Sequence, residues 1–516
     1  PLPYCNRGIN AVENIAAMQP GDAIYLYNLI PTRYGTRVRP GYREWCTGVG
    51  SSVRTLIPYT GSVSANNRLF AAADNRIYDV TTSTTTPPTE TTWPGVTADS
   101  GYCSYTAFNT AAGRFLAVCD EEYGYYLYTE ASDTWARVTN VQVTNVDPNL
   151  LAHVCSFKNR LWFAQKNTAK AWYLPAGAVT GAAVEFDFGN KFSQGGTLVG
   201  LFTWTVDGGE GVDDHLVAIS SAGDVIVYKG DDPASASTFA LRGKYFIGRV
   251  PTKGRRCVGS FGGELYLLSI FGVMPISRLL SGQLVIQENI TTTNRIAPLI
   301  KRSMENLIDE YGWEIHFDPA QSLLLINVPK LPSTNYIQYV QELNTQGWGV
   351  YRNFPMLTGA TWLGKFYAGT PDGRVILHTG SVDNQNISNA ASFVDIEWSA
   401  MSAFSDIDAS GAYHLISMFR PVFLADGTPA FNVRARFDYN LNELQDTIPS
   451  VGSVGTSLWD VGRWDTAIWS GDFVTYDSAY GGAGMGRAVA VAINGRSRAN
   501  TTIVRIDGMV NTGNLL

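Results

Sequence analysis

The sequence predicts an all-β protein, most of which forms a β-propeller of about six or seven blades. Helical periodicity is nearly absent along the 516 residues. The 51 glycines and 23 prolines are spread among short strands rich in aromatic and β-branched residues, as in sandwiches and propellers. A degenerate unit also recurs between residues 58 and 390 at intervals of roughly 45 to 50 residues, the length of a four-stranded blade. These observations predict a propeller with an N-terminal extended segment and a C-terminal β-sandwich-like domain.

In the repeated unit, Gly or Asn and a polar residue precede a short strand of aromatic and aliphatic residues. Gly and Asn tolerate the positive φ angles of tight hairpin turns, so each unit predicts a turn followed by a strand. The units lie at residues 67–71, 113–117, 159–163, 263–267 and 364–368, and residues 223–228 fill the widest gap.

Changes in sequence texture divide the chain into three parts. Residues 1–57 precede the first unit and are predicted to be an extended segment, and residues 58–390 are predicted to form the propeller with insertions. In residues 391–516 the strands alternate apolar and polar residues, which predicts two antiparallel sheets packed face to face. Apolar residues at three- and four-residue steps predict one helix over residues 294–311 and a shorter one over residues 11–18.

The formal charge of −7 is distributed unevenly. Residues 1–57 hold six Arg against three acidic residues, whereas residues 391–516 hold eight Arg against thirteen acidic residues. An acidic total argues against a sequence-specific nucleic-acid binder, whose surface is basic. No apolar run reaches the ~18 residues of a membrane helix and no secretory signal is visible, so we expect no membrane span.

We predict no catalytic, cofactor-binding or metal-binding residues. The histidines at positions 153, 215, 316, 378 and 414 have no metal-ligand spacing, and no nucleophile elbow occurs. The six cysteines form no C-x-x-C pair, which favours free thiols in a reducing compartment. The acidic stretch 207–214 lacks the spacing of a calcium loop, and the glycine-rich stretch 481–486 lacks the context of a phosphate loop. Both are predicted to be turns.

Two groups of residues are candidates for contacts with other proteins. Three tryptophans recur every five residues near the end of the chain, and large aromatic side chains concentrate in contact hot spots. The basic N-terminal segment is expected to use its arginines in protein contacts rather than on DNA. The candidate interface residues are Trp459, Trp464, Trp469, Arg33, Arg37 and Arg39.

One stretch carries a series of short motifs in a fixed order. It includes Phe-Asp-Phe-Gly at residues 186–189 and Gly-Gly-Thr-Leu at 195–198, followed by turn-strand motifs at 206–217, 221–233, 243–248 and 262–267. In this order, residues 171–277 resemble the tail nozzle proteins of short-tailed bacteriophages, also called tail accessory or packaged-DNA stabilisation proteins. Residues 8–41, 317–328 and 347–369 are also similar to that family. The resemblance covers most of residues 5–380 and is more generic in residues 391–516.

The resemblance implies a structural role in the virion tail. Proteins of this family form a homo-hexameric ring below the portal and its tail adaptor, extend the tail channel and help to retain packaged DNA. They conduct double-stranded DNA without sequence specificity during ejection, and they dock tail fibres or spikes. The resemblance also implies synthesis and assembly in the host cytoplasm, and it carries over no catalytic residue and no cofactor.

A second hypothesis is a carbohydrate-binding or carbohydrate-cleaving propeller of the sialidase or lyase type. The aromatic content of 12% is compatible with sugar binding. However, the Ser-x-Asp-x-Gly-x-x-Trp box of sialidase blades is missing, and the sequence displays no acid/base pair with a nucleophile. Images of the purified protein distinguish the two hypotheses, because only the first predicts a ring of subunits with a central channel.

Overall fold

The computed structural model describes the chain except for residues 1, 3, 96, 98, 208–211, 236, 281–290, 331–334, 408–410, 452–473, 483 and 514–516. Strands account for 51% of the chain and helices for 6%, so the predicted all-β class is confirmed. The first strands are β1 Gly8–Ile9, β2 Asp22–Tyr27, β3 Leu29–Thr32, β4 Gly35–Val38 and β5 Tyr42–Cys46.

In the described part of the chain, six four-stranded blades and one three-stranded sheet follow one another around a closed ring. The predicted propeller of about six or seven blades is therefore confirmed. Blade one contains β6 Val53–Tyr59, β7 Arg68–Ala73, β8 Arg76–Asp79 and β9 Thr89–Thr92, and blade two contains β10 Cys103–Thr110, β11 Gly113–Asp120, β12 Gly124–Thr129 and β13 Thr134–Arg137.

Blades three and four continue the ring. Two short strands, β14 Val143–Thr144 and β18 Gly181–Ala182, pair with each other beside blade three. Blade three contains β15 Leu151–Phe157, β16 Arg160–Gln165, β17 Lys170–Tyr173 and β19 Val184–Asp187, and blade four contains β20 Leu198–Asp207, β21 Val212–Ser220, β22 Asp224–Gly230 and β23 Phe239–Phe246.

A three-stranded sheet and two helices separate blade four from blade five. The sheet contains β24 Val258–Phe261, β25 Glu264–Ser269 and β26 Gly272–Pro275, and the helices are α1 Ile276–Leu280 and α2 Ala297–Leu307. Helix α2 confirms the core of the helix predicted over residues 294–311. Blade five contains β27 Glu314–Asp318, β28 Leu323–Val328, β29 Ile337–Glu342 and β30 Trp348–Arg352.

The ring is closed by a strand from the start of the chain. Blade six contains β31 Thr358–Trp362, β32 Lys365–Gly369 and β33 Val375–His378, and its fourth strand is β5, which pairs antiparallel with β33. Since β31 packs against β6 of blade one, the first and last blades are neighbours. Part of residues 1–57 thus belongs to the propeller.

The C-terminal strands belong to two sheets that also contain β2, β3 and β4, and one of these sheets is an extension of blade five. Blade five continues through β2 into β34 Ile396–Ser402, β40 Val489–Ser497 and β36 Ala430–Phe437, whereas β3 and β4 lead into β41 Thr501–Thr512 and β35 His414–Ala425. Short strands border β35, namely β37 Val474–Tyr476, β38 Tyr480–Gly481 and β39 Met485–Gly486. Trp398 and Phe431 of the first sheet contact Phe423 of the second, so the two sheets pack face to face.

Aromatic rings pack blade against blade. Phe70 of blade one contacts Trp135 of blade two edge-on, with 5.1 Å between ring centroids. Trp162 of blade three stacks on Phe239 of blade four at 6.0 Å. Edge-on and stacked pairs of this kind add stability beyond the burial of their area. Burial of such rings explains why the predicted repeat is aromatic.

The prediction of a helix over residues 11–18 is wrong. The side-chain oxygen of Asn10 accepts hydrogen bonds from the backbone N–H groups of Val12 and Glu13, and that of Asn14 accepts one from Ala16. Such local bonds satisfy the backbone in turns and compete with helix formation. The apolar residues of this segment therefore lie in turns rather than on one face of a helix.

Candidate functional site

The guanidinium group of Arg256 lies at the centre of the propeller and bonds to four blades. Its backbone belongs to the connection that leads into the three-stranded sheet. The side chain is only 16% exposed. Its acceptors are the carbonyl oxygen of Arg54 at 3.0 Å, the hydroxyl of Thr55, the carbonyl oxygen of Cys103 at 3.1 Å, the carboxylate of Glu314 and the hydroxyl of Thr358 at 3.2 Å. Arg256 therefore ties together blades one, two, five and six.

Glu314 is the buried carboxylate that balances this charge. Its Oε2 lies 2.5 Å from Nε2 of His316 and accepts a hydrogen bond from the backbone of Gly359 at 3.3 Å. Burial alone would raise the pKa of Glu314, but the charge of Arg256 and the bond from His316 outweigh it and lower that pKa. Glu314 is consequently an anion at neutral pH, paired with a cation at the propeller centre.

The neighbouring Arg255 secures the connection on the same side of the propeller. It has a φ of 54°, and its side chain donates to the carbonyl oxygens of Leu198 and Val199 at 2.9 and 2.7 Å. Its Nε also donates to Glu121 of the loop after β11, which in turn accepts from the backbone of Gly254. Arg255 thus adds blade four to the blades that Arg256 joins, and it makes a second connection to blade two.

Two stacked tyrosines cover this side of the propeller. The rings of Tyr102 and Tyr311 are parallel, with centroids 3.9 Å apart. Arg54 lies over the Tyr102 ring at 5.5 Å, and Lys253 lies over the Tyr311 ring at 5.0 Å. Each of the two stacked rings therefore also makes a cation–π contact, and the four side chains lie next to the connection that contains Arg255 and Arg256.

On the opposite side of Arg256 the propeller centre holds a cavity of about 420 Å³. Aromatic rings and a few polar side chains form its walls, and they come from the innermost strand of every blade. Tyr105, Ser260, Phe261 and Thr361 are exposed, so solvent enters on this side. Its walls include Tyr105, His153, Phe202, Ser260, Phe261, His316 and Phe317.

The predicted interface arginines occupy three different environments. Arg33 is exposed at the β3–β4 turn, 5.7 Å from the ring of Tyr34. Arg37 donates to the side chain of Gln321 at 2.9 Å. Arg39 is buried and forms a two-point ion pair with Asp383, at 2.7 and 2.5 Å, within the same chain. Trp459, Trp464 and Trp469 lie outside the described residues.

A second cavity, of about 700 Å³, lies between the propeller and the C-terminal strands. The arginines in its walls are paired with nearby carboxylates. Besides Arg39 with Asp383, Arg498 lies 2.6 Å from Asp395. Asp383 and Asp395 both lie in the connection between β33 and β34. The two ion pairs therefore join this connection to the propeller, through Arg39 just before β5, and to the C-terminal sheets, through Arg498 just after β40.

The outer face of the C-terminal sheet exposes a cluster of apolar side chains. Leu415 pairs across strands with Met485, and Met418 pairs with Met509. Their exposed fractions are 43%, 61%, 39% and 57%, respectively. We call these four residues the Met-rich face. Methionine side chains are flexible and polarisable, so they adapt to a partner surface.

The remaining predicted features are isolated. His378 is buried against Asp318 at 2.8 Å, and all six cysteines are buried free thiols. Within the described ranges, no cluster of three or more His, Cys, Asp or Glu side chains has the geometry to hold a metal ion. Nor does any helix in the described part of the chain combine the length and the apolar composition of a membrane span. Residues 208–211 of the acidic stretch and residue 483 of the glycine-rich stretch lie outside the described residues.

Sequence reasoning did not single out Arg255, Arg256 or Glu314. The sequence presents His316 only as an isolated histidine. The available signal is the position of the Arg pair at the end of the connection into the short innermost strand β24.

Topology defines the class of this protein as a β-propeller with an attached β-sandwich. No protein-family model matches the chain, and no curated protein matches it. Among solved structures, it is similar to the extracellular domain of a protein described as a hybrid two-component system from B. thetaiotaomicron, at 12% identity and a TM-score of 0.38, covering 64% of this chain and 40% of that one. It is also similar to the β-propeller domain of Cps50 (Swd1) from Myceliophteria thermophila, at 11% identity and a TM-score of 0.38, covering 64% of this chain and 99% of that one.

Proposed function

We propose that this chain is a structural subunit of a bacteriophage tail and that several copies assemble into a ring-shaped nozzle. The ring, expected to contain six copies, extends the tail channel below the portal and adaptor, helps to retain packaged DNA and conducts it during ejection. Tail fibres or spikes dock on its outside. The observation that carries the proposal is the order of motifs across residues 171–277, which resembles that of tail nozzle proteins.

The arrangement at the propeller centre supports a framework role. Arg256 and Glu314 are engaged with each other and with the surrounding blades. A catalytic acid or base has to reach a substrate, whereas these groups hold the blades together. Because Arg256 fills the axis of the propeller, the DNA channel in this proposal lies on the axis of the ring of subunits.

The Met-rich face is the surface that we assign to the contact between copies. Exposed apolar patches bordered by polar residues mark interaction sites. The charged groups beside this patch balance each other, because Arg420 lies 3.7 Å from Asp477 and Arg505 lies 3.3 Å from Asp507. A surface with equal numbers of both charges suits a second copy of the same chain better than a strongly charged partner.

Light scattering and negative-stain imaging of the purified protein test this proposal. We expect rings with a central channel, alone or with the adaptor protein present. The double variant Met418→Glu, Met509→Glu should reduce the ring fraction strongly, whereas Val63→Glu, Val141→Glu, at exposed positions of the propeller, should not. A protein that stays monomeric with and without the adaptor contradicts the ring. Rings that persist in the methionine variant contradict only the assignment of the face.

A mobility-shift titration with short duplex DNA tests the conduit role. A DNA path lined with Lys and Arg would hold the duplex at every phosphate, and its affinity would fall steeply with salt. The chain has a net charge of −7, so we expect weak binding that changes little between low and moderate salt. Tight, steeply salt-dependent binding would show that the channel lining is basic and retains DNA by electrostatic attraction.

A further inference from the structure

Four polar groups without a partner meet in the cavity at the propeller centre. They are the hydroxyls of Tyr105 and Ser260, Nε2 of His153 and Nδ1 of His316, and none of them hydrogen bonds to a described residue. They belong to blade two, the three-stranded sheet, blade three and blade five, respectively. Since His153 is only 4% exposed, it is a buried polar side chain in the wall of an otherwise accessible cavity.

The hydrogen-bonding state of both imidazoles follows from their partners. Nδ1 of His153 accepts a long hydrogen bond of 3.5 Å from the backbone of Leu201, so the ring carries its proton on Nε2. Burial, with a contribution from Arg255, lowers the pKa of His153 to about 3 and keeps the ring neutral. His316 directs Nε2 at the carboxylate of Glu314, which leaves Nδ1 as the ring nitrogen without a protein partner. The cavity thus offers an N–H donor from His153, a second imidazole nitrogen from His316 and two hydroxyls that both donate and accept.

The walls favour a ligand with an apolar face and no net charge. Phe261 stacks on Phe317 with centroids 4.5 Å apart and an angle of 10° between the ring planes. Phe261 is 39% exposed, so its ring remains accessible as a stacking surface. The charges of Arg256 and Glu314 neutralise each other at the floor of the cavity. A volume of about 420 Å³ falls in the range of small-molecule sites.

We propose that this cavity binds one sugar ring of an uncharged saccharide. Sugar hydroxyls both donate and accept, so they match the mixed set of groups from His153, His316 and Tyr105. The C–H face of a pyranose ring packs on the electron-rich face of an aromatic ring such as Phe261. This inference goes beyond the nozzle function and does not depend on ring assembly. It concerns binding, and it assigns no cleavage to the site.

Ligand-observed NMR on the wild-type chain tests the site with four probes: glucose, galactose, mannose and N-acetylglucosamine. Single-ring ligands bind weakly, so each probe is titrated through the millimolar range. We expect saturable transfer from the protein to at least one of them. If none of the four gives a saturable signal with folded protein, the proposal is overturned.

Two conservative variants locate the binding. Tyr105→Phe removes one hydroxyl from the cavity and should weaken binding about fivefold, the effect of one neutral hydrogen bond. Phe261→Ala removes the stacking surface and should weaken binding at least as much. The matched controls are Tyr102→Phe, on the opposite side of the propeller, and Phe271→Ala, an exposed ring outside the cavity. Binding that responds equally to variants and controls would overturn the assignment to this cavity.

Discussion

Gly373 lies so close to Gly50 that a Cβ atom on Gly373 would come within 2.3 Å of the carbonyl oxygen of Gly50. This contact lies at the junction of blades six and one, where the backbone of Val49 also donates to the carbonyl oxygen of Gly373 at 2.9 Å. Gly373 lies in the turn between β32 and β33, and Gly50 lies between β5 and β6. A side chain at position 373 would push these two segments apart.

We therefore predict that Gly373→Ala is more destabilising than Gly364→Ala. Both glycines have a positive φ, +70° and +75°, so each substitution costs about 1–2 kcal/mol in backbone conformation. Only Gly373 adds a backbone clash, worth about 1–3 kcal/mol more, because nothing lies within 4 Å of a Cβ at Gly364. Urea unfolding curves of both variants check this. Equal unfolding midpoints would contradict the prediction, because they would show that the backbone at this junction shifts to accept the Cβ atom without losing stability.

The central ion pair should have a large effect on stability. Replacing Arg256 by Met leaves the carboxylate of Glu314 buried without its cation, which should cost about 3–5 kcal/mol. The double variant Arg256→Met, Glu314→Gln should recover part of this loss. The control is Arg249→Met, which breaks an exposed pair with Asp309 and should cost at most about 1 kcal/mol. Chemical unfolding at pH 7 measures all three, and a loss at Arg256 no larger than at Arg249 contradicts the prediction.

Asp120 should make stability depend on pH. Burial raises its pKa to about 6, although backbone N–H groups of Tyr123, Gly101 and Glu122 donate to it. The unfolded value is about 3.9, so the folded chain holds the proton more tightly between about pH 4 and 6. Stability from this group is therefore present below pH 4 and is lost as the pH rises through 6, by about 3 kcal/mol in total.

The measurement is the difference in unfolding free energy between the wild type and Asp120→Asn across this range. That difference should fall from pH 4 to about pH 7 and then stay constant, because the amide does not titrate. A flat difference across the whole range would mean that Asp120 is as easily ionised in the folded chain as in the unfolded one.

The cysteines should be unreactive in the folded protein. Burial raises the pKa of Cys46 to about 11 and that of Cys257 to about 12, and thiols react as thiolates. We expect a thiol reagent to label none of the six in the native chain and all six after denaturation without reductant. Ser132→Cys, at an exposed turn, provides a reactive reference. Fewer than six thiols after denaturation would reveal disulfides.

Local turn chemistry made the propeller predictable. The predicted units coincide with the second strand of their sheets, as at Arg160–Gln165 and Lys365–Gly369. The turn before Arg160–Gln165 contains Lys158 and Asn159, with φ values of 47° and 56°, as a two-residue hairpin requires. These signals depend on neighbours in sequence, so a single sequence reveals them.

Long-range pairing could not be predicted in the same way. Edge strand Thr89–Thr92 directly follows a run of Thr and Pro residues, a composition typical of loops, and it is a strand because Arg76–Asp79 offers a partner. Likewise, Arg256 and Glu314 meet because seven innermost strands converge, which no local pattern encodes. The domain boundaries at residues 57/58 and 390/391 remain predictions, although strand β6 already begins at Val53.

The way the chain closes on itself also sets the order of events during synthesis. Strand β5 leaves the ribosome some 330 residues before its partner Val375–His378 is made, and the hairpin of β3 and β4 pairs with Ile503, which is made later still. At about 5–20 residues per second, these strands stay unpaired for tens of seconds. Unpaired edges are prone to aggregation, so the segment from β3 to β5 should be a binding site for chaperones until both of its partner strands have been made.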